Sequence, residues 1–180
     1  MASLVLVFCG MGYNSDKPLL YYSRYLAKEK GFEKSVVLEY KDLPDLNSAG
    51  LEAVFQEALK QSREMTKDID WQSYDRILFL SKSVGTYCAA MLARDISQKV
   101  EQVYFTPLNQ SLEAAEEKGL VFIGARDPFA DVERMKEQAK EKNMEIHVYE
   151  NADHSLRSND VVTDTKRLHE MMQILSDHLK

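Results

Sequence analysis

Short apolar runs alternate with longer amphipathic segments along the chain. Apolar runs at Leu4 to Phe8, Ile77 to Leu80 and Leu120 to Gly124 have the length and continuity of parallel strands buried on both faces. Segments with apolar residues at helical spacing lie between such runs, among them Pro18 to Lys30 and Leu51 to Lys67. The pattern therefore predicts an alternation of strand and helix.

The remaining segments continue this alternation. Further strands are predicted at 35–40, 100–105 and 145–149, a turn-rich connection at 43–50, a helix ending at Arg94, a short helix or turn at 111–118, a helix from its Asp131 cap to about Lys142, and a last helix at 161–178. Six strands joined by helices predict one α/β domain over residues 1–180, with three layers and a mostly parallel sheet. Right-handed crossovers place the strands near Ser35 and Glu145 at opposite edges.

The stretch from Asp75 to Arg94 contains a strand, an abrupt turn and a helix rich in small residues. Its turn has the pattern small-x-Ser-x-Gly, with Ser83 at the centre and Ser81 and Gly85 on either side. A serine held in a strained turn between strand and helix needs small neighbours at these two positions. Centring the pattern on Ser81 would place the bulky Phe79 there, so we predict Ser83 as the nucleophile. An ordinary turn that contains serines is the alternative.

Two further polar residues follow predicted strands. Asp127 lies after the fifth strand and His154 after the sixth, and in doubly wound sheets the ligand site forms beyond the carboxyl ends of the strands. A serine hydroxyl needs a neutral imidazole to accept its proton, and the imidazole needs a carboxylate to fix its tautomer. We therefore predict that Ser83, His154 and Asp127 act together.

Four motifs carry a resemblance to a known family. The first is the serine turn, which comes with the chain order Ser, Asp, His. The second is Cys9-Gly10-Met11-Gly12, which is similar to the His-Gly-x-Gly loop of esterases. The other two are Gly124-Ala125-Arg126-Asp127-Pro128-Phe129, similar to the acid loop of dienelactone-hydrolase-like proteins, and Ala152-Asp153-His154-Ser155, similar to their histidine loop. The chain resembles a small lidless α/β-hydrolase of the dienelactone-hydrolase-like or small serine esterase type.

The resemblance implies a minimal six-stranded α/β-hydrolase fold with helices on both faces. It also implies that the backbone N–H groups of Met11 and Val84 form an oxyanion hole, and that the protein cleaves a small ester, thioester or related acyl compound without a cofactor or metal. The sequence departs from the family pattern at three places. Cys9 replaces the histidine of the His-Gly-x-Gly loop, and Ser81 replaces the first glycine of the serine turn. The nucleophile is serine where dienelactone hydrolases have cysteine.

Several alternatives remain open at the level of sequence. The protein could be a catalytically silent member of the fold that binds a ligand in the same pocket. Asp131 is better placed than Asp127 to cap the following helix, and Asp153 is expected to turn away from His154. Lys82 either adds positive charge beside the pocket or, as we expect, lies in solvent. His147, His169 and His178 are expected to be surface residues.

Composition narrows the possible partners. The net charge of −6 and the absence of a basic block argue against nucleic-acid binding. No apolar run approaches the roughly 20 residues of a membrane span, and the first residues lack a basic leader, so we predict a cytoplasmic protein without a membrane partner. Cys9 and Cys88 are expected to be reduced packing residues. The sequence leaves monomer and homodimer open.

Overall fold

The computed structural model describes residues 2–180 and confirms the alternation of strands and helices. The strands are β1 (Ser3–Phe8), β2 (Lys34–Leu38), β3 (Arg76–Lys82), β4 (Val100–Phe105), β5 (Leu120–Gly124) and β6 (Glu145–Tyr149). The helices are α1 (Pro18–Glu29), α2 (Leu46–Thr66), α3 (Val84–Arg94), α4 (Asn109–Ala114), α5 (Val132–Glu141) and α6 (Val161–His178), with a 3₁₀ turn at Trp71–Ser73.

The strands form one sheet in the order β2-β1-β3-β4-β5-β6, and every pairing is parallel. β2 and β6 are the two edges, as predicted. β3 lies between β1 and β4, so the turn that follows it opens near the middle of the carboxyl edge. The loops after β1, β5 and β6 open at this same edge, and this brings the predicted site residues to one place.

Helices cover both faces of the sheet and bury the apolar strands. On one face α1 and α6 contribute Leu19, Leu20, Met171 and Leu175 to a core built on Val5, Leu78, Val103 and Phe122. On the other face α2 and α3 pack on β1 and β3, and α5 packs on β4 and β5. This burial is the main source of stabilisation expected for such a fold. Among the helices of residues 2–180, none is long and apolar enough to cross a membrane.

The boundaries of α2 and α4 differ most from prediction. α2 begins at Leu46, inside the predicted turn-rich connection, because the Asp45 side chain caps its first turn by accepting from the Ser48 N–H at 2.9 Å. Gly50, with φ 81°, then interrupts the helix with a kink. α4 lies at Asn109–Ala114 instead of 111–118, with Ser111 and Leu112 buried.

Candidate active site

The turn after β3 has the geometry that its sequence predicts. Ser83 has φ 54° and ψ −124°, a left-handed backbone conformation that is costly for a residue with a Cβ atom. A Cβ atom on Gly85 would lie 2.5 Å from the Cys9 carbonyl oxygen, so β1 and α3 approach as closely as they do only because this position is glycine. The turn thus holds Ser83 at the head of α3.

The structure brings Ser83, His154 and Asp127 together in a chain of two hydrogen bonds. His154 Nε2 lies 2.8 Å from Ser83 Oγ, and His154 Nδ1 lies 2.7 Å from Asp127 Oδ2. The Asp127 side chain is fully buried and the His154 side chain is 19% exposed. The imidazole therefore faces the hydroxyl on one side and a carboxylate shielded from water on the other.

Asp127 is held in place by its own loop. Its Oδ1 atom accepts the Phe129 N–H at 2.9 Å, which leaves Oδ2 for His154. A Cβ atom on Gly124, at the end of β5, would overlap the Ala152 carbonyl, so this glycine allows the acid loop and the histidine loop to touch. The carboxylate is oriented before any ligand binds.

Further residues position His154, and sequence reasoning missed two of them. The Thr106 hydroxyl, at the end of β4, donates to the His154 carbonyl at 3.0 Å. The Phe129 ring meets the imidazole edge to face, with 4.9 Å between the ring centroids. The Asp153 carboxylate turns back on its loop and accepts the Ser155 and Arg157 N–H groups at 2.7 and 3.0 Å. The place of Thr106 at the carboxyl end of a central strand is the signal that could have identified it.

The loop after β1 is closed by two reciprocal backbone hydrogen bonds. The Gly10 N–H donates to the Tyr13 carbonyl at 2.9 Å, and the Tyr13 N–H donates to the Gly10 carbonyl at 3.1 Å. A Cβ atom on Gly10 would lie 3.2 Å from the Ser83 Cβ atom, so the loop passes directly beside the serine. Within residues 2–180 the N–H groups of Met11 and Val84 make no hydrogen bond, which leaves both available to a ligand.

Two of the three sequence departures, Ser81 and Cys9, are accommodated by burial. Ser81 is completely buried and donates its hydroxyl to the Val103 carbonyl at 2.9 Å, so it serves the sheet and not the triad. Cys9 is 2% exposed, and burial raises the pKa of its thiol to about 12. Burial also raises the pKa of Cys88 to about 11. Both cysteines are free and packed in the interior, as predicted.

The expectation that Lys82 lies in solvent is wrong. Its side chain is 1% exposed, and its ammonium lies 5.0 Å from the centroid of the Tyr13 ring. It also does not line the cavities beside the loop after β1. Polarity alone predicts exposure for lysine, but the packing of Tyr13 covers this side chain.

The other polar candidates lie away from the serine. Asp131 caps α5 by accepting the Arg134 N–H at 3.1 Å. His147 lies on β6, where it stacks on Phe122 and hydrogen-bonds to Glu145. His169 and His178 lie on α6, the first of them exposed. Within residues 2–180, no cluster of three or more His, Cys, Asp and Glu side chains could hold a metal ion.

Two cavities meet at Gly12 in the loop after β1. The first, of about 430 Å³, lies beside the histidine loop; its lining includes Tyr13, Leu19, Ser155, Leu156, Leu168 and Met171. The second, of about 550 Å³, lies on the other side of the loop, toward Tyr40 and Leu46. The first cavity has a largely apolar wall that reaches Ser155, the residue after His154, although Ser83 and His154 themselves line neither cavity.

Residues 4–180 match the family model of the alpha/beta hydrolase domain, and the chain belongs to this family. No curated protein matches the sequence. The chain is similar to an alpha-beta serine hydrolase homologue from Coxiella burnetii, with 16% identity, a TM-score of 0.72, and coverage of 99% of this chain and 85% of the other.

Two further solved structures have the same fold. An esterase from Pyrococcus furiosus is 14% identical, with a TM-score of 0.66 over 98% of this chain and 82% of its own. A dienelactone hydrolase from Anabaena variabilis is 16% identical, with a TM-score of 0.61 over 98% and 84%. These similarities and the all-parallel six-stranded sheet show that the predicted α/β-hydrolase fold is correct.

Proposed function

We propose that the protein is a serine hydrolase that cleaves a small ester, thioester or related acyl compound through an acyl-enzyme intermediate. The observation that carries the proposal is the hydrogen-bonded chain from Ser83 Oγ through His154 to Asp127, with distances of 2.8 and 2.7 Å. The strained backbone of Ser83 and the burial of Asp127 also support the proposal.

In the proposed reaction, Ser83 Oγ attacks the acyl carbonyl carbon while His154 Nε2 accepts the hydroxyl proton. Asp127 stabilises the imidazolium that forms. His154 then donates this proton to the departing oxygen or sulfur, and the bond from the carbonyl carbon to the leaving group breaks. Water enters, gives its proton to His154 and attacks the acyl-enzyme; Ser83 regains its proton when the acid leaves.

The oxyanion of each tetrahedral intermediate needs positioned donors. The N–H groups of Met11 and Val84 suit this role because neither makes a hydrogen bond within residues 2–180. Val84 follows Ser83 at the head of α3, and Met11 follows Gly10, which lies beside Ser83. The apolar wall of the first cavity, which reaches Ser155 in the histidine loop, suits an acyl or alkyl group. The dienelactone hydrolase and esterase that share the fold are consistent with this class of substrate.

The test is labelling with a fluorophosphonate, followed by peptide mapping and by kinetics on p-nitrophenyl acetate. We expect the label on Ser83 and a loss on the order of 10⁶ in kcat for Ser83→Ala. Ser81→Ala is the matched control, because it deletes a hydroxyl two residues away and should retain activity. A wild-type protein that neither reacts with the probe nor turns over the ester would contradict the proposal and favour a silent binding protein.

A further inference from the structure

Lys82 is the residue of the site that the proposed reaction does not use. It immediately precedes Ser83, and it is one of two charged side chains that are buried within residues 2–180; the other is Asp127. Burying an ammonium is costly unless the protein provides compensating interactions. A hydrophobic side chain would fill this place at lower cost, so the contacts of Lys82 are informative.

These contacts join Lys82 to the loop after β1. The ammonium lies 5.0 Å from the centroid of the Tyr13 ring, within the range of a cation–π interaction. The stem packs beneath Gly10, since a Cβ atom on that glycine would lie 3.3 Å from Lys82 Cγ. Lys82 therefore touches both ends of the Gly10–Tyr13 turn.

Tyr13 transmits this support to the backbone around Met11. Its carbonyl and N–H close the turn with Gly10, and its hydroxyl accepts the Leu19 N–H at 3.1 Å, which anchors the ring to the start of α1. Met11 lies between the two hydrogen-bonded ends of the turn. The direction of its N–H is therefore set by how Gly10 and Tyr13 are held.

We propose that Lys82 is a positioning residue: its charged ammonium holds the Tyr13 ring, and through it the Gly10–Tyr13 turn, where the Met11 N–H meets the oxyanion. The inference rests on the proposed function. It gives the residue before the nucleophile a task that a neutral side chain cannot perform, because the attraction to the ring requires the positive charge.

The charge of Lys82 is sensitive to pH. Desolvation lowers its pKa to about 7, against the opposing effects of Asp127 in the loop after β5 and Asp153 in the loop after β6. The other titratable groups facing it are Tyr13, whose pKa is raised to about 12 by burial, and His154 beyond Asp127. The Tyr13 hydroxyl is therefore protonated, and the side chain neutral, at pH values well below about 12.

Support for the Gly10–Tyr13 turn depends on the protonation of Lys82. Lys82 is charged below pH about 7 and loses its proton above it, so support for the turn weakens as the pH rises. The wild-type kcat/KM should therefore fall with rising pH as Lys82 becomes neutral.

The experiment is a profile of kcat and KM for p-nitrophenyl acetate over a broad pH range, for the wild type, Lys82→Met, Lys82→Arg, Tyr13→Leu and the double variant of Lys82→Met with Tyr13→Leu. Methionine keeps an unbranched stem without charge, and arginine stays charged throughout. Removing one oxyanion donor costs on the order of 10² to 10³ in kcat, so a misplaced donor should cost about 10- to 100-fold, with KM nearly unchanged because the oxyanion exists only in the transition state.

We expect kcat to be about 10- to 100-fold lower in Lys82→Met, and its pH profile to lack the falling limb. Lys82→Arg should keep its activity and should also lack the falling limb. Adding Lys82→Met to Tyr13→Leu should cost little more than Tyr13→Leu alone. A wild-type profile without a falling limb, independent effects of the two positions, or a falling limb retained in Lys82→Met would overturn the role of Lys82. If Lys82→Met fails to fold, Lys82→Arg decides, because a falling limb retained in Lys82→Arg would overturn the role of Lys82 as well. A wild type without turnover or labelling would overturn the proposed function as well, which distinguishes the two failures.

Discussion

The two ends of the sheet differ in the amount of backbone strain and buried charge that they contain. Five of the seven non-glycine residues with positive φ in residues 2–180 lie in loops at the carboxyl end: Asp42, Ser83, Thr106, Asn151 and Leu156. The buried charges of Lys82 and Asp127 are also at this end. At the amino end, Arg76 pairs with Glu101 at 3.4 Å, and both side chains remain about 30% exposed.

The difference shows where the molecule tolerates strain. Each strained residue or buried charge reduces stability, and each persists only where the surrounding structure holds it in place. At the carboxyl end the hydrogen bonds of Asp127, Thr106 and Asp153 provide that hold around His154. The amino end carries ordinary surface pairs, which contribute little individually. Substitutions at the two ends should therefore separate activity from stability.

Asp127→Asn should have the largest effect of the substitutions that test this division. An amide in place of the carboxylate favours the wrong histidine tautomer and should lower kcat on p-nitrophenyl acetate by about 10⁴. Asp153→Asn is the matched control, because its amide oxygen can still accept the loop N–H groups, and we expect a far smaller loss. If Asp153→Asn proved the more damaging change, the acid would have to be reassigned to the loop beside His154.

Thr106→Val should have an intermediate effect. The substitution keeps the branched shape but removes the hydroxyl that donates to the His154 carbonyl at 3.0 Å. An unpaired, partly buried carbonyl should lower the free energy of unfolding by about 1 to 2 kcal/mol, and a displaced histidine should lower kcat by about tenfold. Urea denaturation and ester kinetics measure the two effects. Thr106→Ser keeps the hydroxyl and should behave like the wild type; equal losses in both variants would show that the hydrogen bond is unimportant.

The sequence predicts the sheet well because three of its strands, β1, β3 and β5, contain continuous apolar runs. The structure places Ser83, Asp127 and His154 together because each follows a strand. The end of a strand can be predicted from the sequence where an apolar run stops at polar or small residues. The first turn of α2 was missed because Pro44 and Gly50 indicate a loop, whereas the Asp45 cap decides the structure.

The burial of Lys82 and the role of Thr106 are not predicted from the sequence, because both depend on contacts between residues far apart in the chain. Lys82 is buried because Tyr13, far away in the sequence, packs over it. Thr106 matters because its hydroxyl reaches the His154 carbonyl, which belongs to a loop 48 residues away. Local patterns of polarity contain neither relationship, so the supporting residues of the site emerge only from the folded chain.

Arg76→Met should have the smallest effect and gives the sharpest contrast, because it makes nearly the same chemical change as Lys82→Met at the opposite end of β3. Arg76 lies over the Phe32 ring at 4.5 Å and pairs with Glu101. Methionine keeps much of the packing and loses a partly exposed ion pair, so the free energy of unfolding should fall by no more than about 1 kcal/mol. The catalytic constants should stay within about twofold of the wild type, since a screened charge this far from the serine has little influence. Urea denaturation and p-nitrophenyl acetate kinetics on both variants provide the measurement. A tenfold loss of kcat in Arg76→Met with unchanged stability would show that the amino end also supports the chemistry, and the division between the two ends would fail.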